Sequence, residues 1–206
     1  RGGQVAVDAA GSITCVGCGC AAGAAGATRV TCPRGVVSPG LVNAHDHLAS
    51  SHNAPRADGG ERYEQRHDWR LGQRGHTEIP FTGGASTEQL RWGELRHLLG
   101  GATSTLGAGG TPGLLRNLDR ADQREGLDGT PVHLDAFPLS DAAGLQLASG
   151  CAYPDLVTPA SLADDPAALL HAAEGIDGVA HNELACLTSS VNGGEDVALP
   201  QTAFVN

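Results

Sequence analysis

The sequence predicts an α/β protein, because strand, helix, strand, helix and strand signals follow one another between residues 36 and 137 in the rhythm of a parallel sheet with crossover connections. Before them, residues 1–38 are rich in Val, Gly, Ala and Cys and read as short antiparallel strands. No apolar run approaches the roughly 18 residues of a membrane span.

In chain order, Val5, Val7, Ile13 and Val16 alternate around a turn at Ala10-Gly11. An apolar strand, Val36 to Val42, then carries Pro39-Gly40 and ends in Asn43-Ala44-His45-Asp46-His47. Residues 48–85 are polar and without a sustained period, a long loop of the kind that usually carries function. Ser86, with Gln89 three residues on, opens a helix with Trp92, Leu95 and Leu99 on one face and Gly100-Gly101 as its stop. Ala102 to Leu106 is the next strand. Thr111-Pro112 reads as the start of a second helix through Leu114, Leu115 and Leu118, ending near Gly126, and Val132 to Phe137 as the strand after it. From Asp165 to Gly175 two readings stay open: an Ala/Leu helix, or a buried strand at Leu169 to Ala172 followed by a helix from Ile176 to Leu187.

Composition narrows the function. The chain has 206 residues, a formal charge of -10 and 40% hydrophobic residues. That acidity disfavours nucleic-acid backbones and anionic membranes, and points to a small-molecule substrate. The 13 basic residues are all Arg, so lysine Schiff bases, Walker-type phosphate loops and lysine-bridged metal pairs are excluded.

His45 and His47 flank one residue at the end of an extended strand, so both imidazoles can converge on one metal ion. His171 and Glu174 form a second pair, able to supply a further ligand and a proton-shuttling carboxylate; an exposed pair on one helix face is the alternative. Cys15, Cys18, Cys20 and Cys32 fit disulfides or free thiols better than structural zinc, and Cys151 and Cys186 read as buried small residues. For His97, His133 and His181 ordinary structural roles are expected, with His52 at most on the rim of a site.

The stretch Val37-Ser38-Pro39-Gly40-Leu41-Val42-Asn43-Ala44-His45-Asp46-His47-Leu48 resembles the first barrel strand of the amidohydrolase superfamily. Gly101 to Thr105 is similar to its second-strand Gly-x-Thr-Thr element, and His171 to Glu174 to the fifth-strand motif of its cytosine-deaminase and triazine-hydrolase branch. The resemblance implies a partial TIM-like (β/α)8 barrel, strands 1 to 5 or 6, over residues 39–206, preceded by a small β-sandwich segment over residues 1–38. It implies His45, His47 and His171 as ligands of one divalent ion, zinc first and iron as the alternative, with Glu174 as general acid/base. The activity implied is hydrolysis of carbon-nitrogen bonds other than peptide bonds. A cyclic amide or imidazolone hydrolase is the near alternative, and a truncated fragment that only binds metal or a partner is the alternative of another class. The branch also has a sixth-strand His and an eighth-strand Asp, and this chain ends at Asn206, short of the roughly 250 residues of such a barrel. The expectation is therefore a fragment with an uncovered sheet edge, open to aggregation, a partner or a homo-oligomer. Within the loop, His67, Trp69, Arg70 and His76 are candidate substrate-binding residues, since a loop after the first strand lies at the catalytic end of a barrel.

Overall fold

A computed structural model describes residues 2–107 and 109–205; Arg1 and the chain end at Asn206, where the sixth-strand histidine is expected, lie outside them. The chain divides into two compact units, residues 1–41 and 42–206.

In the first unit β1 (Gln4–Val7) and β2 (Ile13–Gly17) pair antiparallel, Val5 opposite Val16, as the alternation predicts. The turn between them is built on Asp8, whose carboxylate accepts the N–H groups of Ala10 and Ser12, both at 2.9 Å. A disulfide joins Cys15 to Cys20, while Cys18 and Cys32 are free and exposed.

At the boundary of the units lies β3 (Leu41–Asn43), and the second unit continues with α1 (Arg66–Leu71), α2 (Thr87–Leu99), β4 (Ala102–Thr105), β5 (Arg116–Asn117), β6 (His133–Asp135), β7 (Ala168–His171), α3 (Gly178–Leu187) and β8 (Thr202–Val205). Two three-stranded sheets result, in the orders β3-β4-β5 and β6-β7-β8, and β4 pairs with β5, β6 with β7 and β7 with β8 in parallel. The expected TIM-like barrel is not formed. The strands are short and few, and between β5 and β6 runs one backbone hydrogen bond, Val132 N–H to Leu118 O at 2.9 Å, in place of a ladder.

The physical reason lies in the connections. The helix expected from Thr111 is missing: Gly113 sits at φ 103°, outside helical space, and the backbone N–H groups of Thr111 and Leu115 turn to the buried Glu94 carboxylate at 2.8 and 3.3 Å. Asn117 Nδ2 donates to the same carboxylate at 3.1 Å. Turns thus replace a crossover helix, and the connection from β6 to β7 likewise carries no helix among the described residues. Without a continuous outer helical layer the parallel strands have nothing to hold them in a closed ring.

The α2 helix begins as expected, with Ser86 and Gln89 forming a reciprocal capping box and Gly100 as C-cap. Its orientation does not follow the expectation. Trp92 and Leu99 are 60% and 78% exposed, and the helix buries Gly93 and Glu94 instead. A Cβ at Gly93 would stand 2.9 Å from Ser51 Oγ and 3.2 Å from Leu48 Cδ2, so the bare backbone lets that turn approach. Polar anchoring by Glu94 decides the helix's rotation over its apolar stripe.

Between residues 165 and 187 the strand-then-helix reading is the one formed. All four residues of β7 are buried, and Cys186 and Leu187 of α3 join Ala168 and Leu170 in one core. Leu139, Tyr153, Leu162, Leu170 and Val197 complete this core. Cys151 and Cys186, expected as separate buried residues, form a disulfide within it.

Candidate metal centre

The first two histidines owe their placement to the end of β3. Beyond Asn43 the chain stays extended, Asp46 N–H donating to Leu106 O at 2.9 Å, so His45 and His47 project to one side. Asp46 faces the other way, where its Oδ2 accepts from Asn43 Nδ2 at 3.0 Å and pairs with His97 Nε2 at 2.9 Å. His97 therefore has the structural role expected of it. Gly107 makes this approach possible: a Cβ there would overlap the Asp46 carbonyl.

The third histidine comes from the end of β7. His171 is the last residue of that strand, 6% exposed, and Ala172 N–H continues the ladder to Val205 O at 3.1 Å. Ala173 then takes φ 59°, a left-handed turn that swings Glu174 back to accept from His171 Nδ1 at 3.0 Å. The pair is thus a strand end and a turn, not one face of a helix.

Together the three imidazoles form a cluster, with one ring nitrogen of each lying within 4.8 Å of the others and ring centroids 4.7 to 5.1 Å apart. His45 Nδ1 and His171 Nε2 are buried without a hydrogen-bond partner. Orphaned lone pairs of this kind are costly unless something occupies them. Three nitrogens bonded to one tetrahedral ion at about 2.0–2.1 Å stand about 3.4 Å apart, so a set within 4.8 Å draws closer together on holding one. Burial, then repulsion from His171 and His45, holds the His47 ring below its ordinary pKa and keeps it a neutral donor at neutral pH.

Burial pushes the Glu174 carboxyl up, but the His171 hydrogen bond and the Arg66 guanidinium outweigh it and leave it below the usual carboxylate range. Glu174 is therefore ionised at neutral pH, a proton acceptor at rest.

The expected long loop contains an unexpected helix, α1, capped by Gln65 and Asp68 in a reciprocal box. This helix redefines the proposed substrate residues. His67 is fully buried, its Nε2 2.7 Å from Asp141 Oδ2, and so presents no face to a ligand. Trp69 is half-buried and its carbonyl receives Ile79 N–H at 2.7 Å. Arg70 lies over the Phe137 ring, 4.9 Å from its centroid, and donates to His67 Nδ1 at 3.2 Å. His76 pairs with Glu61 at 3.0 Å, inside its own loop. The four are scattered through the scaffold around α1, not gathered at the triad. His133 pairs with Asp165 at 3.2 Å.

Four residues outside the set of named candidates support the site: Gln65, Arg66, Asp141 and Glu183. Gln65 Nε2 donates to Glu183 Oε1 at 2.6 Å, and Glu183 Oε2 accepts Ala173 N–H at 3.2 Å, steadying the turn that carries Glu174. Burial pushes the Glu183 carboxyl up. No local signal marks Asp141 or Glu183; Arg66 lies in the charged run but looks like any solvated arginine.

Comparison with protein-family models, with curated proteins and with solved structures finds no match to this chain. Among the described residues no helix is long and apolar enough to cross a membrane.

Proposed function

We propose that the chain holds one divalent metal ion on His45, His47 and His171 and hydrolyses carbon-nitrogen bonds other than peptide bonds in a small-molecule substrate. Zinc is the first choice, since three imidazoles suit it, with iron the alternative. The carrying observation is the pair of orphaned, buried ring nitrogens on His45 and His171 inside a three-histidine cluster, with an ionised carboxylate bonded to one of its rings. The resemblance of residues 37–48 and 171–174 to the amidohydrolase superfamily supports the same reading from the sequence side.

When bound, such an ion supplies Lewis acidity that makes water nucleophilic near neutral pH. The chain's own residues do the rest. Glu174 accepts at Oε1 from His171 Nδ1 and from Arg66, and among the described residues its Oε2 makes no hydrogen bond, so that oxygen is free to take a proton from water and return it to the leaving nitrogen. Amidines and cyclic amides, whose leaving nitrogen needs that proton, are the substrate class to test first.

Elemental mass spectrometry on wild type, His45→Ala/His47→Ala and Cys15→Ser/Cys18→Ser tests the metal. About one ion per chain, lost with the histidines and kept with the cysteine changes, is the expected result. Glu174→Gln should retain the ion and lower turnover of a cyclic amidine about 10²- to 10⁴-fold. An ion that follows the cysteines, or none in wild type, sinks the proposal; an ion without turnover leaves a metal-binding chain that is not an enzyme.

A further inference from the structure

We infer that Arg66 is a positioning residue, which fixes the Glu174 carboxylate and through it the His171 ring. This rests on the metal reading above and deepens it.

Two sets of contacts hold Glu174. The backbone set is a clasp between residues 64–66 and 174–176: Arg66 N–H donates to Glu174 O and Ile176 N–H to Glu64 O, both at 2.8 Å, around a bridge between Gln65 and Gly175. That clasp sets where the Glu174 Cα stands. The guanidinium sets where its carboxylate points, Nη1 donating to Oε1 at 3.1 Å and to the Ala136 carbonyl at 2.7 Å.

Arg66 is itself immobilised. Its Nη2 donates to both oxygens of Asp141, at 2.7 and 2.9 Å, and its plane lies 4.5 Å over the Phe137 ring. His67 Nε2 closes the far side of Asp141. Arg66, Asp141 and His67 are 3%, 0% and 0% exposed, and charges are buried this deeply only when paired and hydrogen-bonded. A relay thus runs from the buried His67, Asp141 and Arg66 through the half-buried Glu174 to His171, ending at an Nε2 that carries no other bond.

A carboxylate on the far nitrogen of a ligating histidine fixes the ring's tautomer and orientation, and losing such a partner typically costs about 10- to 100-fold in metal affinity. A lysine at residue 66 keeps the charge but cannot span Asp141, Ala136 O and Glu174 at once.

Zinc affinity of the full chain is measured in competition with a chromophoric chelator for wild type, Arg66→Lys, Glu174→Ala and the double variant. Arg66→Lys should weaken zinc about tenfold or more, and in the Glu174→Ala background the same change should cost no more than about twofold. Equal affinity of Arg66→Lys and wild type overturns the inference and leaves the metal reading standing. An equal loss in both backgrounds assigns Arg66 a purely structural role and overturns it too. Zinc that fails to bind wild type overturns the metal reading itself. Should Arg66→Lys fail to fold by circular dichroism, Asp141→Asn, which unclamps Arg66 without removing it, replaces it in the same cycle.

Discussion

The helices α2 and α3 each lie next in sequence to a short strand, yet they differ in what they place beside the acid each one buries. The inward face of α3 buries Val179, Ala180, Cys186 and Leu187 with the acid Glu183 among them, and Cys186 and Leu187 share one core with Ala168 and Leu170 of β7. The inward face of α2 carries a bare glycine and a carboxylate, while Trp92, Leu95 and Leu99 face out. Both helices bury one hydrogen-bonded acid, Glu183 in α3 and Glu94 in α2, but only in α3 does that acid share its face with the apolar residues. Apolar periodicity predicts how a helix packs only where no polar group has a stronger claim on the same contact.

The sharpest way to break the α3 side is to cut its covalent staple. Cys151 and Cys186 are 35 residues apart, and opening a loop of that size costs about 3–4 kcal/mol. Reduction, or Cys151→Ala/Cys186→Ala, should lower the urea midpoint accordingly, and an unchanged midpoint would show that the core does not need the bond. Next comes packing. Leu170 is fully buried, so Leu170→Ala should cost about 3 kcal/mol, whereas Leu99→Ala on α2 should stay within about 0.5 kcal/mol. Comparable losses at the two sites would mean that the α2 face is covered after all.

A smaller effect tests the polar relay. Burial raises the Asp141 carboxyl, but the His67 and Arg66 hydrogen bonds outweigh it and hold it below its ordinary value of 3.8. A depressed carboxyl contributes stability above the unfolded value and loses it as pH falls through the folded one. Wild type should therefore lose stability on acidification by an amount that Asp141→Asn no longer shows, of the order of one charge-assisted hydrogen bond, about 1.5–3 kcal/mol. Parallel pH profiles for the two proteins would remove Asp141 from the relay.

Much of the candidate site was legible. An i, i+2 histidine pair after an apolar strand needs no tertiary information to converge, and His171 with Glu174 meets it because β7 ends where its apolar run ends. The capping box at Ser86 and Gln89 was equally local. What failed to read was whatever depended on distant partners. The barrel presumed a helix at Thr111, which lost to Glu94, an acid 17 residues away. The helix at Arg66 begins at Gln65, a weak cap by type, and is fixed by residues at 141 and 174. The pairing of Cys151 with Cys186 is a matter of spatial proximity that spacing does not encode.

The clasp at Gly175 carries one more consequence, for mutational tolerance. A Cβ there would stand 2.5 Å from Glu64 O, 3.0 Å from Gln65 Cα and 3.1 Å from Ala180 Cβ, and two of those three atoms are backbone. No side chain can be threaded between the two segments. In a saturation library read out by zinc retention, residue 175 should return glycine alone, while its neighbour Ile176, two-thirds exposed, should accept most polar replacements.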